Sequence, residues 1–421
     1  MRRLACIFAL LFVAIAGCAT TRSTGAAGPS GLHPGKEPII RVLVLSSSGS
    51  ATIATTGPFR ITGAGGSVLV TSSRGGTVSA QRSSRSLQLR VDTTGESATS
   101  DGDAVVDAGA SPVSVGGVWY SGRMLVRVGD AGGIDLINLV PLETYLEGVV
   151  PHEIGEPGPD AYGAVEAQAV AARTYALSRM ALNRNHAFDV EAGVMDQVYR
   201  GHEKQSRLAT SAVRDTRSMV LSYKGNLCDA YYSATCGGHT SDIRQVWPDR
   251  PDAPFLHGTL DRAGADGSSF CAQARNFRWC YSFSGRSLGA VLRQTLPTLL
   301  GVPASSVGEF VDLRVLERSQ SGRVRRLEIQ TSDRNFIVEG DRIRRALMLD
   351  VSRGRILPST LFDLEKTMSG ERVARVNIVG GGNGHGVGMC QNGALGMARR
   401  GYSYAMILGH YYPGCDLRAG Y

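Results

Sequence analysis

Two separated stretches concentrate the residues that could do chemistry: Pro141 to Tyr175, and Gly384 to Ala398. In the first, Glu153 follows the turn-prone Val150-Pro151-His152 and precedes a second Pro/Gly cluster, a pattern that puts it at a helix end beside a loop. A carboxyl group there can act as a proton donor near neutral pH if burial or neighbouring charge raises its pKa. In the second, His385 sits between Gly384 and Gly386, where bulkier neighbours would block access, and the amide of Gln391 follows six residues on. Together the two stretches predict a polar cleft.

The elements that must position these groups are of mixed type. Leu142, Tyr145, Leu146 and Val149 share one face of a helix that Pro151 is expected to stop. A second helix is predicted from Asp160, as N-cap, to about Arg184, with Val165, Ala169, Ala172 and Ala176 forming a small-residue stripe that lets another backbone approach closely. Arg173 and Gln168 lie beside that stripe. Arg173 either pairs with a carboxylate such as Glu153 or Glu166 or lies on a solvated face, because a buried cation needs a counter-charge. Upstream, Ile40 to Leu45, Ser86 to Val91, Arg123 to Val128 and Ile134 to Leu139 alternate with period two between Gly/Ser turns and read as β-hairpins, with a polar break over Asp101 to Asp107. Downstream, hairpins are expected for Met219 to Tyr223 with Asp229 to Ser233, and for Phe310 to Glu317 with Arg325 to Gln330. Helices are expected over Ser287 to Leu300 and Glu339 to Leu347. The fold class is therefore α+β: a β-rich N-terminal scaffold followed by helices framing a cleft.

The runs YLEGVVPHE, EAQAVAARTYAL, DQVYRG (Asp196 to Gly201), AYYSATCGGHT and HGVGMCQNGALGMARRGYSYAMILGHYYPG occur in that order from about Arg41 to the C-terminus. In this they closely resemble the stage II sporulation protein D family, which contains peptidoglycan lytic transglycosylases. The resemblance implies a glycan-cleaving cleft in which Glu153 is the catalytic acid. It also directs attention to Tyr145, Arg173, Tyr175, Gln197, Tyr199, Gly238, His385 and Gln391 as substrate-binding residues. In a lytic transglycosylase the 6-hydroxyl of the sugar is the nucleophile, so one glutamate acts first as acid and then as base, and the product carries a 1,6-anhydro end. An ordinary hydrolase pairs the acid with a second carboxylate; Glu143, Glu147, Glu156 and Asp160 are near enough in sequence to leave that option open. The reading from another class is a non-catalytic glycan-binding module that recruits or activates a cell-wall amidase.

The chain has 421 residues, 53 of them glycine, a charged fraction of 19% and a formal net charge of +8. That charge favours anionic wall polymers or membranes, while no basic run with interleaved aromatics of the nucleic-acid-binding kind is present. Gly380 to Gly388 is glycine-rich, but no Lys-Ser/Thr follows, so a nucleotide phosphate cradle is not expected. Arg2 and Arg3, the apolar run Leu4 to Ile15 and the ending Ile15-Ala16-Gly17-Cys18 form a lipoprotein signal, with Cys18 as the lipidated residue. The expected organisation is residues 1–17 as signal peptide, 18–37 as a flexible tether, 38–140 as β-rich scaffold and 141–421 as catalytic domain, held at the membrane and facing periplasm or wall.

Beyond Cys6 and Cys18 there are six cysteines: Cys228, Cys236, Cys271, Cys280, Cys390 and Cys415. An even number in an exported chain favours disulfides, for which Cys236 with Cys271 and Cys390 with Cys415 are the pairs expected. Cys236, His239, His385 and Cys390 are also zinc-ligand types. Some members of the family bind a metal through Cys and His just before the Gln-Val-Tyr motif, where this chain has Glu191, Met195 and Asp196. The expectation from sequence is therefore no metal and no cofactor.

Overall fold

The computed structural model describes residues 35–84, 86–204, 206–263 and 267–421. Signal peptide, most of the tether, Cys6 and Cys18 lie outside them. The protein is α+β, built around two separate hydrophobic cores.

The first core starts in two sheets, antiparallel except where Ile39–Ser47 pairs in parallel with Val190–Glu191. Alternation of apolar and polar residues gives each strand one buried face, as in Ser86–Val91, where Leu87, Leu89 and Val91 point inward. One sheet has seven strands in the order Val190–Glu191, Ile39–Ser47, Ile134–Pro141, Arg123–Val128, Ala104–Asp107, Phe59–Thr62 and Val68–Ser72. The other has six, running Val118–Tyr120, Val113–Val115, Ser50–Thr55, Gly76–Ser83, Ser86–Val91 and Ser97–Ser100. The expected polar break is half strand: Ala104 and Val106 are buried and pair with Val126 and Met124, because alternation resumes right after the Asp101-Gly102-Asp103 turn.

The central strand Ile134–Pro141 runs directly into helix α1 (Leu142–Glu153). Pro151 does not stop this helix, contrary to the sequence expectation. It falls in the last turn, where the loss of one donor is tolerated and Ile154 N–H still closes on the Val150 carbonyl. Gly148 is required in α1, since a Cβ there would lie 2.8 Å from the Tyr199 ring and 2.9 Å from the Gly201 carbonyl. Helix α2 (Tyr162–Leu182) follows a short 3-10 turn at Pro159–Ala161; Asp160 lies within that turn rather than capping α2. Ala164, Ala167, Ala169, Val170, Ala171, Ala172 and Ala176 are all fully buried, so the small-residue stripe extends around most of α2. It forms the axis of the first core, against which α1, α3 (Arg207–Asp215) and the strand Met219–Tyr223 pack.

Met219–Tyr223 pairs with Asn226–Leu227 and with the C-terminal strand Asp416–Ala419. Asp229 to Ser233 is therefore not its hairpin partner: only Tyr232–Ser233 is strand, paired in parallel with Met389–Cys390. Helix α4 (Ile243–Val246) is a single turn capped by Asp242.

The chain leaves this core after Phe277 and builds the second one. Trp279–Ser284, Arg372–Gly380 and Phe362–Ser369 form a three-stranded sheet; Phe310–Arg318, Val324–Thr331 and Asn335–Glu339 form another. Helix α5 (Gly285–Leu300) covers them with Leu288, Leu292 and Leu296 on one face. The helix expected over Glu339 to Leu347 shrinks to α6 (Arg342–Ala346), because Asn335–Glu339 is claimed by the sheet. Helices α7 (Gln391–Ala398) and α8 (Tyr404–Tyr411) then return to the first core and pack on α2. Among the described residues, no helix is long and apolar enough to cross a membrane.

Candidate active site

Glu153 is the last residue of α1, and its carboxylate faces two segments distant in sequence. Oε1 accepts the main-chain N–H of Val198 at 2.8 Å, and Oε2 lies 3.4 Å from Nε2 of Gln391, the first residue of α7. The hydroxyl of Tyr232 is a third hydrogen-bonding neighbour. Burial pushes the Glu153 pKa above the ordinary carboxylate range; the bonds from Val198, Gln391 and Tyr232 favour the charged form but do not outweigh it. This is the balance a general acid requires.

A polar layer holds these partners in place. Tyr145 donates to Oε1 of Gln197 at 3.0 Å, and Gln197 Nε2 reaches the Tyr232 hydroxyl at 2.9 Å and the Ala172 carbonyl at 3.3 Å. Gln391 Nε2 also lies 3.3 Å from Oε1 of Gln168, whose own Nε2 is buried with no partner among the described residues. Tyr199 donates to Asn138 Oδ1 at 2.9 Å and packs on the Tyr145 ring at a centroid distance of 4.8 Å.

The structure thus brings Glu153, Gln391 and Gln197 into one connected network, as the sequence pattern anticipated for the first two. The other residues are placed differently. Tyr145, Gln197 and Tyr199 are buried, which keeps them from touching a glycan directly; they support the site from behind. Tyr175, also buried, donates to Oδ1 of Asp196 at 2.7 Å. Arg173 is fully buried and pairs with neither Glu153 nor Glu166 but with Glu143, in a two-pronged contact of Nε to Oε1 at 2.9 Å and Nη2 to Oε2 at 2.7 Å. The reason is helical geometry: Glu143 opens α1 on the buried side, while Glu153 closes it three turns away. Gly238 donates its N–H to Cys236 Sγ at 3.4 Å and belongs to a cysteine cluster rather than to the Glu153 network.

His385 is half-buried, stacked on Trp247 with centroids 4.8 Å apart. Its Nδ1 accepts the Val387 N–H at 3.1 Å, which makes Nε2 the protonated nitrogen of the neutral ring, and burial pushes its pKa down to about 4. Tyr232 and Trp247 were not singled out from sequence, and Gln168 was noted there only as lying beside the small-residue stripe. The one signal was composition: Tyr232 and Trp247 flank the Ala-Thr-Cys-Gly-Gly run that the motif comparison already marked.

Three of the carboxylates near Glu153 in sequence are engaged elsewhere: Glu143 with Arg173, Glu156 with Lys204 at 3.9 Å and Asp160 with Arg399 at 3.5 Å. The metal that some family members hold before the Gln-Val-Tyr motif does not fit here. Glu191 and Met195 are exposed, and both oxygens of Asp196 are occupied, by the Tyr175 hydroxyl and by the Glu191 N–H at 2.9 Å. Cys415 Sγ lies 3.1 Å from Cys228 Sγ, which corrects the expected Cys390 to Cys415 pairing. Cys236 and Cys271 are adjacent as expected, with Sγ atoms 3.6 Å apart.

Residues 130–223, which contain Glu153 and its Val198 partner, match the profile described as stage II sporulation protein. Residues 252–388 match a profile described only as a domain of unknown function. An uncharacterized protein of Brachyspira hyodysenteriae is 33% identical over 71% of this chain and 72% of its own length. The amidase enhancer of Bacillus subtilis is 27% identical over 65% of this chain, which spans only 40% of that protein. Stage II sporulation protein D of Bacillus amyloliquefaciens is 25% identical over 66% of this chain and 74% of its own. With a profile match over the segment that contains Glu153, a relative 33% identical over 71% of this chain, and similarity to a stage II sporulation protein D over 66% of it, the chain belongs to the stage II sporulation protein D family.

Proposed function

We propose that this protein acts on the bacterial cell wall, cleaving peptidoglycan glycan strands by lytic transglycosylation with Glu153 as acid and then base. The observation that carries the reading is the half-buried carboxyl of Glu153, with raised proton affinity, bonded to Val198 and Gln391 and with no second carboxylate in its hydrogen-bond network among the described residues. In its protonated form Glu153 gives a proton to the glycosidic oxygen as the bond to C1 breaks. The resulting carboxylate takes the proton of the 6-hydroxyl as that oxygen closes on C1, so no water is consumed. Val198 and Gln391 hold the carboxylate through both steps, while the buried Tyr145 and Gln197 and the half-buried Tyr232 fix the loop that presents Val198. The leader and Cys18 are assigned to anchoring the enzyme at a membrane by lipid.

Digestion of purified glycan strands by the protein alone tests this. The expected products carry 1,6-anhydro ends, lighter by one water than hydrolysis products, and Glu153→Gln should lower the rate by about a hundred- to ten-thousand-fold while leaving the melting temperature near that of the wild type. Reducing-end products, or full activity in Glu153→Gln, would overturn it. The similarity to an amidase enhancer favours a second reading, a glycan-binding module that activates an amidase; under that reading the lone protein releases nothing and stimulates an added amidase.

A further inference from the structure

Outside the Glu153 network, the most unusual chemistry in the molecule is a knot of buried acidic ligands. Cys236, the nearby pair Asp261 and Cys271, and the distant Cys390 are all buried and place one ligand atom each within 4.8 Å of one another. Asp261 is fully buried and has no cation within ion-pair distance among the described residues. Among the described residues its oxygens accept the Tyr411 hydroxyl at 2.5 Å and the Cys271 N–H at 3.1 Å, with the Cys271 thiol as a further neighbour. A buried carboxylate beside three sulfurs is costly unless a cation sits among them.

The surroundings are arranged for thiolates rather than thiols. Cys236 Sγ accepts the Gly238 N–H at 3.4 Å; Cys390 Sγ accepts the Cys236 N–H at 3.1 Å and the Gly393 N–H at 3.3 Å. The last of these makes Cys390 the N-cap of α7, where the helix dipole favours negative charge. Gly393 allows the close approach, because a Cβ there would lie 2.3 Å from Asp261 Oδ1. A second, independent sign is Arg323. Its guanidinium is fully buried, donates to the Cys236 carbonyl at 2.8 Å, and leaves Nε and Nη1 without partners among the described residues. A cation in that position needs negative charge nearby, and it lies within electrostatic reach of Cys236 and Cys390.

We propose that Cys236, Cys271, Cys390 and Asp261 form a structural zinc site of three thiolates and one carboxylate. Zinc bound to thiolate at about 2.3 Å in a tetrahedron separates its sulfurs by about 3.8 Å; Cys236 and Cys271 are 3.6 Å apart. Soft thiolate ligands in a closed tetrahedral set select zinc over hard cations such as magnesium or calcium. Loading replaces three S–H bonds with three Zn–S bonds, adds one Zn–O bond to the Asp261 carboxylate, and releases three protons to solvent. The site carries net negative charge, which Arg323 and the N–H donors offset. Since Gln391 directly follows Cys390, the metal also fixes the residue that faces Glu153. This departs from the expectation of no metal drawn from sequence, where Cys236 and Cys271 were expected to meet but Asp261 and Cys390 could not be seen to join them.

The native folded wild-type protein, purified from the compartment to which it is exported, decides the matter by intact mass and elemental analysis. The expected result is one zinc per chain, with a neutral mass equal to the apo chain plus zinc minus two hydrogens, since Zn2+ replaces two protons in the charge balance. Cobalt substitution should give the thiolate-to-cobalt charge-transfer band and intense tetrahedral d–d bands. Cys390→Ser and Asp261→Asn should each weaken zinc binding by more than about tenfold, while Cys280→Ser, at an exposed cysteine, keeps full stoichiometry. A wild-type mass short by two hydrogens with no metal, and a peptide linking Cys236 to Cys271, would overturn the proposal in favour of a disulfide. Retention of full zinc affinity by Cys390→Ser would overturn it as well. None of these readouts depends on glycan cleavage, so the two proposals stand or fall separately.

Discussion

The main-chain N–H of Val198 donates to Oε1 of Glu153 at 2.8 Å, joining the end of the first helix to the middle of the Gln-Val-Tyr motif 45 residues later. A main-chain donor survives every substitution except proline, which has no N–H, so this anchor persists whatever other residue replaces Val198. What can be altered is the proton on Glu153, and its titration has a definite sign.

Burial raises the folded-state pKa of Glu153 above its value in the unfolded chain. The folded state therefore holds this proton more tightly, and its stability relative to the unfolded state falls as pH rises from the ordinary carboxylate range through the folded pKa. Glu153→Gln removes that dependence. Thermal melts of the two proteins across pH should show the variant gaining on the wild type as pH rises through this window. A wild type that gains instead would mean that hydrogen bonding to the carboxylate dominates over burial. Glycan cleavage by the wild type should decline over the same rise in pH, as the proton donor is lost.

The position of Glu153 could be read from sequence because Pro and Gly punctuate both of its sides, and strands such as Ser86–Val91 and Arg123–Val128 could be read because strict alternation admits one period. The partner of Arg173 could not. Glu143, Glu153 and Glu166 are equally charged in the sequence, and only the three-dimensional path of α1 and α2 selects Glu143. The cysteine cluster was hidden for a similar reason: Cys271 and Cys390 are separated by a complete second core, so their spacing carries no ligand signature. Pro151 misled because it lies one turn from a helix end, where the rule against proline is weakest.

Glu143 and Arg173 form a buried ion pair to which Tyr421 and the Ser218 N–H also bond. Burial pushes the Glu143 carboxyl up, but its contacts with Arg173, Tyr421 and Ser218 together hold it below the ordinary range. Removing one partner leaves an uncompensated charge in the core, so Glu143→Gln should destabilise the fold by about 3–5 kcal/mol, measured by denaturant unfolding. The double variant Glu143→Leu/Arg173→Met should recover part of that loss. Because this carboxylate titrates lower when folded, the wild-type advantage over Glu143→Gln should shrink in acid, as pH falls through the folded pKa.

Cys228 and Cys415 face each other with sulfurs 3.1 Å apart, tying the C-terminal segment to the loop after Met219–Tyr223. In an oxidising compartment they should join, and the bond should stabilise the protein by about 2–5 kcal/mol. Peptide mapping without reduction should recover Cys228 linked to Cys415. Recovery of Cys390 linked to Cys415 instead would refute both this pairing and the cluster around Asp261.

The second core has the geometry of an inserted guest: Trp279 and Gly380, at its entry and exit, are register partners in one sheet, so excision would leave ends that a short loop could rejoin. Yet the turn of its hairpin, between Phe310–Arg318 and Val324–Thr331, carries Arg323 back into the first core to reach Cys236. The host has therefore become dependent on its guest. Any trimming that excises this segment removes the cation beside the buried sulfurs and has to supply a replacement charge at the same spot.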